Sequence, residues 1–300
     1  MMREIYVHEG VFHADDTMIV ALIMEAMNLS WLEININRVR ELPDSFNSAN
    51  GDIAGDVGGC FDVKKMIFDH HFKNGNDDGF AATGKFWSHF GSRICGYNQR
   101  VADRVYLTLL GSIDRADIAL SDWTPIREDW RHVSASALIS SMNPPFGSSS
   151  DEIMKAFNVA VNTCRYALKG AIENAKTFIS MEDVVSAAEK HLSGRVLVFS
   201  KGGPWQEHIF EQKLEDVLYV IYVSERGGFC LQCVPDALGS FGTRKSLPES
   251  WKGLRGAELN QVLGGSFTES SSLFCHPGRF MGGAETLEET LEMARMAIES

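Results

Sequence analysis

Short apolar segments near the N-terminus predict a set of buried strands. Ile5-Tyr6-Val7 is a compact apolar run, and the segment from Glu33 to Val39 alternates between apolar and polar residues. Between these two segments, apolar residues recur at helical spacing from about Thr17 to Ala26. Strands that are separated by helices or loops predict a parallel α/β sheet. The four expected strands are residues 5–7, 33–39, 51–56 and 65–68.

The middle of the chain has the apolar spacing of helices. A Gly-, Asn- and Asp-rich segment at residues 72–84 predicts a loop, and helical spacing follows at residues 86–90 and 102–118. Pro and Gly residues within 142–150 end one helix, and residues 151–191 predict another. We expect this last helical segment to pack on the N-terminal domain.

After residue 193 the pattern returns to strands. Short helices at residues 204–211 and 258–263 and a closing amphipathic helix at 286–299 lie among them. The chain therefore predicts an α/β domain at residues 1–192 and a smaller α+β domain at residues 193–300. The expected strands of the second domain are residues 195–199, 217–223, 228–234 and 273–275.

Polar side chains follow three of the N-terminal strands. His8 and His13 come after the first strand, Asp56 after the third, and Asp69-His70-His71 after the fourth. In open α/β sheets, ligands bind beyond the carboxyl ends of the strands. We therefore expect these side chains to meet at one edge of the sheet.

Carboxylates and imidazoles without cysteine are typical of a site for Mn²⁺ or Mg²⁺ rather than structural zinc. A two-metal site also needs a carboxylate that bridges the ions. For any single residue the alternative is a polar loop or capping role, and Asp15 and Asp16 lie where a helix N-cap is expected. The candidate residues are His8, His13, Asp15, Asp56, Asp69, His70, His71 and Asp114.

Composition and charge narrow the class of protein. With 44% hydrophobic and 23% charged residues, the chain is typical of globular proteins, and it has no apolar run of about 18 residues that would predict a membrane span or a membrane partner. The N-terminus lacks the features of a signal peptide, so a cytoplasmic location and reduced cysteines are expected. The formal charge of −12 argues against a broad basic surface for duplex DNA. Bound divalent cations would nevertheless make a local site positive.

The polar clusters occur in an order that resembles the motifs of the DHH phosphoesterase superfamily. These motifs are His8-x-Gly-x-Phe-His13-x-Asp15-Asp16, Asp56-Val-Gly-Gly59 and Phe68-Asp-His-His71. More narrowly, nearly all 300 residues resemble the Myg-type (melanocyte-proliferating-gene) branch, long labelled metal-dependent protein hydrolases. The further motifs are Ile113-Asp114-Arg-Ala-Asp117, Pro204-Trp-x-Glu207-His208, Arg244-Lys-x-Leu-Pro248, Trp251-Lys-Gly-Leu-Arg255 and His276-Pro-Gly-Arg-Phe-x-Gly-Gly283.

The resemblance implies a parallel-sheet DHH domain with two divalent metal ions, usually Mn²⁺ with Mg²⁺ as an alternative. It also implies a C-terminal domain that closes over a phosphate-bearing substrate. Many DHH enzymes have an aspartate where His13 stands, so the first metal position has one carboxylate fewer here. Carried over by motif, one ion would be held by His8, His13 and Asp56, and the other by Asp15, Asp56, His70 and Asp114.

The same resemblance implies roles for the remaining residues of the DHH triplet. His71 would face the substrate as a phosphate contact or general acid, and Asp69 would orient a neighbouring ligand.

Basic residues and a Gly pair in the second domain are candidates for phosphate binding. Cationic side chains suit a phosphodiester, and a Gly pair lets backbone N–H groups approach an anion. The alternative is that isolated surface arginines have no specific role. The candidates are Arg244, Lys245, His276, Arg279, Gly282 and Gly283.

Together, the residues and the resemblance predict a two-metal phosphodiesterase. We expect an exonuclease that hydrolyses single-stranded nucleic acid, with RNA favoured over DNA. One alternative is a small-molecule phosphohydrolase that acts on pyrophosphate, a nucleotide or a short oligonucleotide. Another is a non-catalytic metal- or nucleotide-binding protein. Protein hydrolysis has no support, because the chain contains neither an HExxH motif nor a nucleophile elbow.

Overall fold

A computed structural model describes residues 2–72, 79–120 and 134–300. The chain forms two compact units, Met1–Lys176 and Thr177–Ser300, so the division falls inside a long helix. The boundary predicted from the sequence lies after residue 192. Among the described residues each unit contains one β-sheet, which confirms the mixed α/β class.

The sheet of the first unit is largely parallel. Its strands are β1 (Arg3–His8), β2 (Ile34–Val39), β3 (Ile53–Gly55), β4 (Phe61–Asp62) and β5 (Ile67–Phe68). They lie in the order β2-β1-β3-β5-β4. All neighbours pair in parallel except β4, which runs antiparallel to β5. The four strands predicted from the sequence are confirmed, and β4 is the addition.

The strand order reverses between β1 and β3. From β1 the chain first adds β2 on one side, and then crosses to place β3 on the other side. Ligands of open α/β sheets bind in the crevice at such a reversal, beyond the carboxyl ends of the strands. His8 ends β1 and Asp56 directly follows β3, so both residues flank this crevice.

The first helix is buried against this sheet. Helix α1 (Ala14–Ala26) is buried at every position except Glu25, which explains why residues 18–24 are all apolar. It approaches β3 so closely that a Cβ on Gly55 would lie 2.7 Å from the Ile19 side chain. This contact fixes α1 over the sheet and places its first turn beside the crevice.

The other helices of the first unit follow later in the chain. Of the predicted loop at 72–84, residues 73–78 lie outside the described residues, and the next helix already begins at Ala82. The helices are α2 (Ala82–Ile94), α3 (Gln99–Val105), α4 (Gly111–Asp117), α5 (Ala135–Ser140) and α6 (Ser150–Ser186), with a π-helical turn at Tyr106–Leu110. Helix α6 ends earlier than predicted, because residues 189–191 form a strand.

The second unit contains strands and short helices. Its strands are β6 (Glu189–His191), β7 (Val196–Val198), β8 (Tyr219–Val223), β9 (Phe229–Cys233), β10 (Phe274–Cys275) and β11 (Met281–Ala284). They form a mixed sheet in the order β10-β11-β9-β8-β7-β6. The helices are α7 (Gln206–Glu211), α8 (Gly256–Val262) and α9 (Leu287–Glu299), and Met293 of α9 packs in the core with Ile221 and Leu231. Strands β6 and β11 were not predicted.

All six cysteines are free thiols, as the sequence predicts. In the described part of the chain, no helix has the length and apolar character needed to cross a bilayer.

Candidate metal centre

Seven of the eight metal-site candidates selected from the sequence meet at the carboxyl edge of the first sheet. Three groups form there, and in each group one ligand atom from every residue lies within 4.8 Å of the others. The groups are His8, His13 and Asp16; Asp15, Asp56, His70 and Asp117; and Asp56, Asp69, His70 and His71. Groups of this kind, rich in carboxylate and imidazole, are able to hold a divalent metal ion.

The first group joins the end of β1 to the start of α1. The His8 ring uses Nδ1 to contact the Glu9 carbonyl at 2.6 Å, and the His13 ring uses Nδ1 to contact Asp117 at 3.0 Å. Because the Glu9 carbonyl is an acceptor, His8 carries its hydrogen on Nδ1 and presents a lone pair at Nε2. The two Nε2 atoms face each other at 2.8 Å. At this separation the two nitrogens are able to bind one cation as neighbouring ligands on the same side of it.

Asp16 completes the first group from the first turn of α1. One of its oxygens accepts a hydrogen bond from the His13 backbone N–H at 3.1 Å, which is a capping interaction. Its other oxygen, Oδ2, is buried, has no hydrogen-bond partner in the described residues, and lies 3.2 Å from His8 Nε2. Asp16 therefore caps the helix with one oxygen and offers the other to the site.

Asp56 lies between the first and second groups. Its Oδ2 is 3.5 Å from His8 Nε2, and its Oδ1 is 3.5 Å from His70 Nδ1. Both oxygens are buried and lack a hydrogen-bond partner among the described residues. Asp56 adopts a left-handed backbone conformation, with φ of 57°, directly after β3. Buried carboxylate oxygens without donors are costly, and cations on both sides would compensate for that cost.

The second group is linked by Asp117. Its Oδ1 contacts His13 Nδ1 and its Oδ2 contacts His70 Nε2, each at 3.0 Å. Asp15 joins this group while its two oxygens accept the backbone N–H groups of Ala82 and Thr83 at 3.0 and 2.8 Å. A carboxylate oxygen accepts two hydrogen bonds or ligand bonds, so each Asp15 oxygen retains one acceptor site.

Both carboxylate oxygens of Asp69 accept hydrogen bonds from nearby residues and hold them in position. Its Oδ2 accepts the Gly59 N–H at 2.6 Å, and its Oδ1 accepts the N–H groups of His70 and His71 at 2.7 and 3.1 Å. The same Oδ1 contacts His71 Nδ1 at 2.8 Å. The His71 side chain is 61% exposed. Asp69 thus holds the His71 ring by Nδ1, and the ring is accessible from the cavity.

Asp114 lies outside the three groups in the described residues. It is fully buried, and its Oδ1 accepts the N–H groups of Ala81 and Gly84, both at 2.8 Å. Its Oδ2 accepts the Tyr106 hydroxyl at 2.7 Å. A Cβ on Gly84 would lie 2.4 Å from Oδ1, so only glycine permits this approach. Asp114 and Asp15 together satisfy the first N–H groups of α2.

Asp16 and Asp117 join the groups although the sequence did not single them out as ligands. Asp117 lies three residues after Asp114 in the same motif and on the same helix, α4. The sequence signal therefore pointed to this turn, but the orientation of the helix decides which carboxylate faces the histidines. Asp16 has the sequence position of a helix cap, and that pattern does not indicate that its second oxygen faces the site.

The loop between His8 and His13 is held from two sides. The Phe12 N–H donates to Asn143 Oδ1 at 3.0 Å, and Asn143 Nδ2 donates to the Phe12 carbonyl at 2.7 Å. From β2, Arg38 donates to the Gly10 carbonyl at 2.8 Å, and its guanidinium stacks on Phe157 at 4.9 Å. These contacts fix the loop that brings the two imidazoles together.

Burial raises the pKa values of three carboxyl groups in the centre. It raises the pKa of Asp15 to about 6 and that of Asp16 to about 7. The pKa of Asp56 is raised well above its ordinary value by burial and by the nearby Asp15 and Asp117. Protons therefore compete with a cation for these carboxylates at a higher pH than they would for ordinary carboxylates.

The pKa values of Asp117 and His71 also shift, and the contacts of each side chain explain the direction. Burial alone would raise the pKa of Asp117, but the rings of His13 and His70 outweigh it and lower the pKa. The hydrogen bond to Asp69 raises the pKa of His71. His71 therefore keeps its proton to higher pH than an ordinary histidine.

A cavity of about 650 Å³ opens beside the centre. Its size lies in the range of pockets that enclose small ligands. Its lining consists of His8, His13, Arg40, Glu41, Leu42, Asp56, Val57, Gly58, Gly59, Asp69 and His71.

The predicted cationic contacts of the second domain have intramolecular partners. Arg244 Nη1 donates to the carbonyls of Leu214, Glu215 and Val217 at 2.6, 3.1 and 2.8 Å. Lys245 Nζ donates to the Ile298 carbonyl at 2.9 Å, in the last turn of α9. These contacts stabilise the second unit, and a role of either side chain in substrate binding stays a prediction.

The motif His276-Pro-Gly-Arg-Phe-x-Gly-Gly283 forms a turn that leads into strand β11. Arg279 contacts Glu249 at 3.0 Å and the Leu247 carbonyl at 2.9 Å, and His276 Nδ1 accepts the Gly278 N–H at 3.0 Å. The Gly pair lies buried in β11 between β9 and β10. A Cβ added to Gly282 would lie 2.8 Å from the Phe274 carbonyl oxygen. A Cβ added to Gly283 would lie 2.5 Å from the Phe229 carbonyl oxygen. The close sheet packing accounts for both glycines, and anion binding by this motif stays a prediction.

A family model named MYG1_exonuc, described as "Uncharacterised protein family (UPF0160)", matches residues 4–298. The chain belongs to this family. Among its relatives, "MYG1 exonuclease" of Bos taurus is 26% identical over 327 residues, covering 97% of this chain and 83% of the relative. The human "MYG1 exonuclease" is also 26% identical, with 97% and 84% covered. The "MYG1 protein" of Dictyostelium discoideum is 25% identical over 317 residues, with 96% and 94% covered.

One solved structure is similar only in part. It is a crystal structure of RecJ in complex with Mg²⁺ from Thermus thermophilus, with a TM-score of 0.20 and 12% identity. The match covers 78% of this chain and 42% of that chain. A score this low carries no argument about the fold or the site.

Proposed function

We propose that the protein is a two-metal phosphodiesterase of the DHH type, and that it acts as an exonuclease on single-stranded nucleic acid, with RNA favoured over DNA. The observation that carries the proposal is the position of Asp56. Both of its oxygens are buried without a hydrogen-bond donor among the described residues, and they point to different histidines. This is the arrangement expected of a carboxylate that bridges two cations.

The proposed ligands follow from the side chains whose ligand atoms lie together, with Asp56 shared between the two ions. His8, His13, Asp16 and Asp56 would hold one ion, and Asp15, Asp56, His70 and Asp117 the other. Asp16 then supplies the carboxylate that the first position lacks because His13 replaces an aspartate. Asp114 would act indirectly, by holding the N-terminus of α2, where the N–H groups of Ala82 and Thr83 bind Asp15.

Oxygen and imidazole ligands without thiolates favour Mn²⁺, with Mg²⁺ as the alternative. When bound, two such ions activate water and stabilise the charge that develops on a phosphate during its hydrolysis.

The chain's own residues would position the substrate and supply a proton. Asp69 accepts the Nδ1 hydrogen of His71, so the proton at Nε2 is directed to the accessible side of the ring. The raised pKa keeps this proton on the ring to a higher pH than in an ordinary histidine. His71 would therefore contact the phosphate and donate to the leaving oxygen.

The names of the relatives support a nuclease within this chemistry. The relatives in cattle, mouse, rat and human are each named an exonuclease. Their alignments cover 97% of this chain, together with 83% of the cattle, mouse and rat proteins and 84% of the human protein. A cavity of about 650 Å³ beside the centre suits one end of a chain better than a continuous duplex.

The experiment offers the purified protein, with Mn²⁺, four substrates: single-stranded RNA, single-stranded DNA, a dinucleotide and pyrophosphate. We expect mononucleotides to be released from the RNA, and release to be lost in Asp56→Asn. Asp52→Asn is the matched control, because Asp52 is also buried but accepts the Asn47 N–H at 2.8 Å outside the three groups.

Three outcomes would contradict the proposal. Turnover of pyrophosphate or the dinucleotide alone would indicate a small-molecule phosphohydrolase. Tight binding of nucleotides without any turnover would indicate a binding protein. Equal activity of the wild type and Asp56→Asn would reject Asp56 as a bridging ligand.

A further inference from the structure

We propose that Arg40 and Glu41 form a subsite for the sugar and phosphate of the terminal nucleotide, and that Glu41 distinguishes ribose from deoxyribose. The inference rests on the proposed function and adds a substrate contact to the same centre. It concerns the wall of the cavity that is formed by residues 40–42.

The sheet places this wall beside the metal centre. In the parallel pairing of β1 and β2, His8 lies opposite Val39, and the Glu9 N–H donates to the Val39 carbonyl at 3.0 Å. Arg40 and Glu41 are the next two residues, so they leave the sheet at the edge where His8 enters the centre. Both residues line the cavity together with His8, His13, Asp56 and His71.

The two arginines at the end of β2 differ in their contacts. Arg38 is half-buried, donates to the Gly10 carbonyl and stacks on Phe157, so its guanidinium is part of the fold. Arg40 and Glu41 are exposed, and within residues 2–72, 79–120 and 134–300 neither side chain has a hydrogen bond or ion pair. Their polar groups are therefore available to a ligand.

The charges of the lining agree with a phosphate ligand only when cations are present. Among the described residues that line the cavity, Arg40 is the only arginine or lysine, against the carboxyl groups of Glu41, Asp56 and Asp69. Two divalent cations would reverse this negative balance. We therefore expect Arg40 to bind a phosphate in the metal-loaded protein, since a planar guanidinium forms paired hydrogen bonds with phosphate oxygens.

Glu41 has the chemistry of a sugar contact. An ionised carboxylate only accepts hydrogen bonds, so it repels a phosphate and binds hydroxyl donors. A terminal ribose offers adjacent 2′ and 3′ hydroxyls, whereas deoxyribose lacks the 2′ hydroxyl. Leu42 and Val57 add apolar surface to the same cavity, against which the sugar and base are able to lie. One carboxylate thus gives a physical reason for preferring RNA.

The test measures binding of adenosine 5′-monophosphate and its 2′-deoxy analogue to the Mn²⁺-loaded full chain by titration calorimetry. We expect Arg40→Ala to weaken both ligands by roughly tenfold, and Glu41→Ala to weaken only the ribonucleotide, so that the two affinities converge. The matched controls are Arg226→Ala and Glu225→Ala, an adjacent exposed pair in the turn between β8 and β9. These controls are expected to bind both ligands as the wild type does.

The results also separate this inference from the proposed function. The subsite is rejected if the wild type binds neither nucleotide, if Arg40→Ala binds as the wild type, or if Glu41→Ala weakens both ligands equally. If the nucleotides bind as expected but RNA is not hydrolysed, the subsite stands and the nuclease proposal fails. Hydrolysis of RNA with unchanged KM in both variants would reject the subsite alone.

Discussion

The side chain of Asn143 forms two hydrogen bonds with the backbone of Phe12, one in each direction. The two residues are separated by 131 positions in the chain. Phe12 is fully buried against Phe157, at 5.6 Å between ring centroids, and the next residue is His13. Asn143 therefore acts as a positioning residue for the imidazole pair, although it lies outside the three candidate groups.

We expect Asn143→Ala to lower the affinity for Mn²⁺ by about tenfold, because the His8–His13 loop would lose one of the two contacts that fix it. Titration calorimetry measures this affinity. The control is Asn98→Ala, which removes the cap of α3 by deleting the acceptor of the Val101 N–H and should cost about 1 kcal/mol. A similar loss of Mn²⁺ affinity in both variants would mean that the effect is general destabilisation.

Asp114 and Asp117 provide a direct test of the ligand set. Asp117→Asn should lower Mn²⁺ affinity by roughly 100-fold, because a neutral amide replaces a carboxylate that faces two histidines. Asp114→Asn should lower the free energy of unfolding by about 2 kcal/mol through the α2 N-terminus, with a much smaller change in affinity. Calorimetry and urea unfolding separate the two effects. The reverse pattern would make Asp114 the ligand, as the family resemblance implies.

Metal affinity should depend on pH through Asp15 and Asp16. The raised pKa values of about 6 and about 7 mean that protons compete with the metal below these values. Apparent Mn²⁺ affinity should therefore rise as the pH increases through this range, level off above about pH 7, and be accompanied by proton release. Titration in buffers of different ionisation enthalpy counts the released protons. Asp16→Asn should release fewer protons, and an unchanged count would exclude Asp16 as a ligand.

Arg244 should stabilise the second unit. Arg244→Ala removes the donor to three carbonyls and the stacking on Phe210 at 5.1 Å, which should lower the free energy of unfolding by about 2 kcal/mol. Urea unfolding measures this change, with the exposed Arg226→Ala as control. Unchanged stability together with a higher KM for RNA would instead assign Arg244 to substrate binding.

The repeated appearance of histidine and aspartate after short apolar runs was enough to predict where the site lies. In a parallel sheet the carboxyl ends of strands share one edge, so residues that follow β1, β3 and β5 must be neighbours. The strand pattern of the second unit was equally clear, apart from β6 and β11. Strand β11 escaped prediction because its centre is a pair of glycines, which carry no apolar side chains.

The sequence alone thus determined the sheet, its edge and the chemical types of the candidate ligands, because periodicity and strand ends are local properties of the chain. The tertiary structure decided which atoms face one another. The rotation of α4 brings Asp117 to the histidines and leaves Asp114 at α2, and Asn143 reaches Phe12 only after the chain has folded back. The tertiary structure also leaves the Arg40 side chain exposed in the cavity lining, whereas Arg38 donates a hydrogen bond to the Gly10 carbonyl. Such choices depend on packing between distant segments, which no local pattern contains.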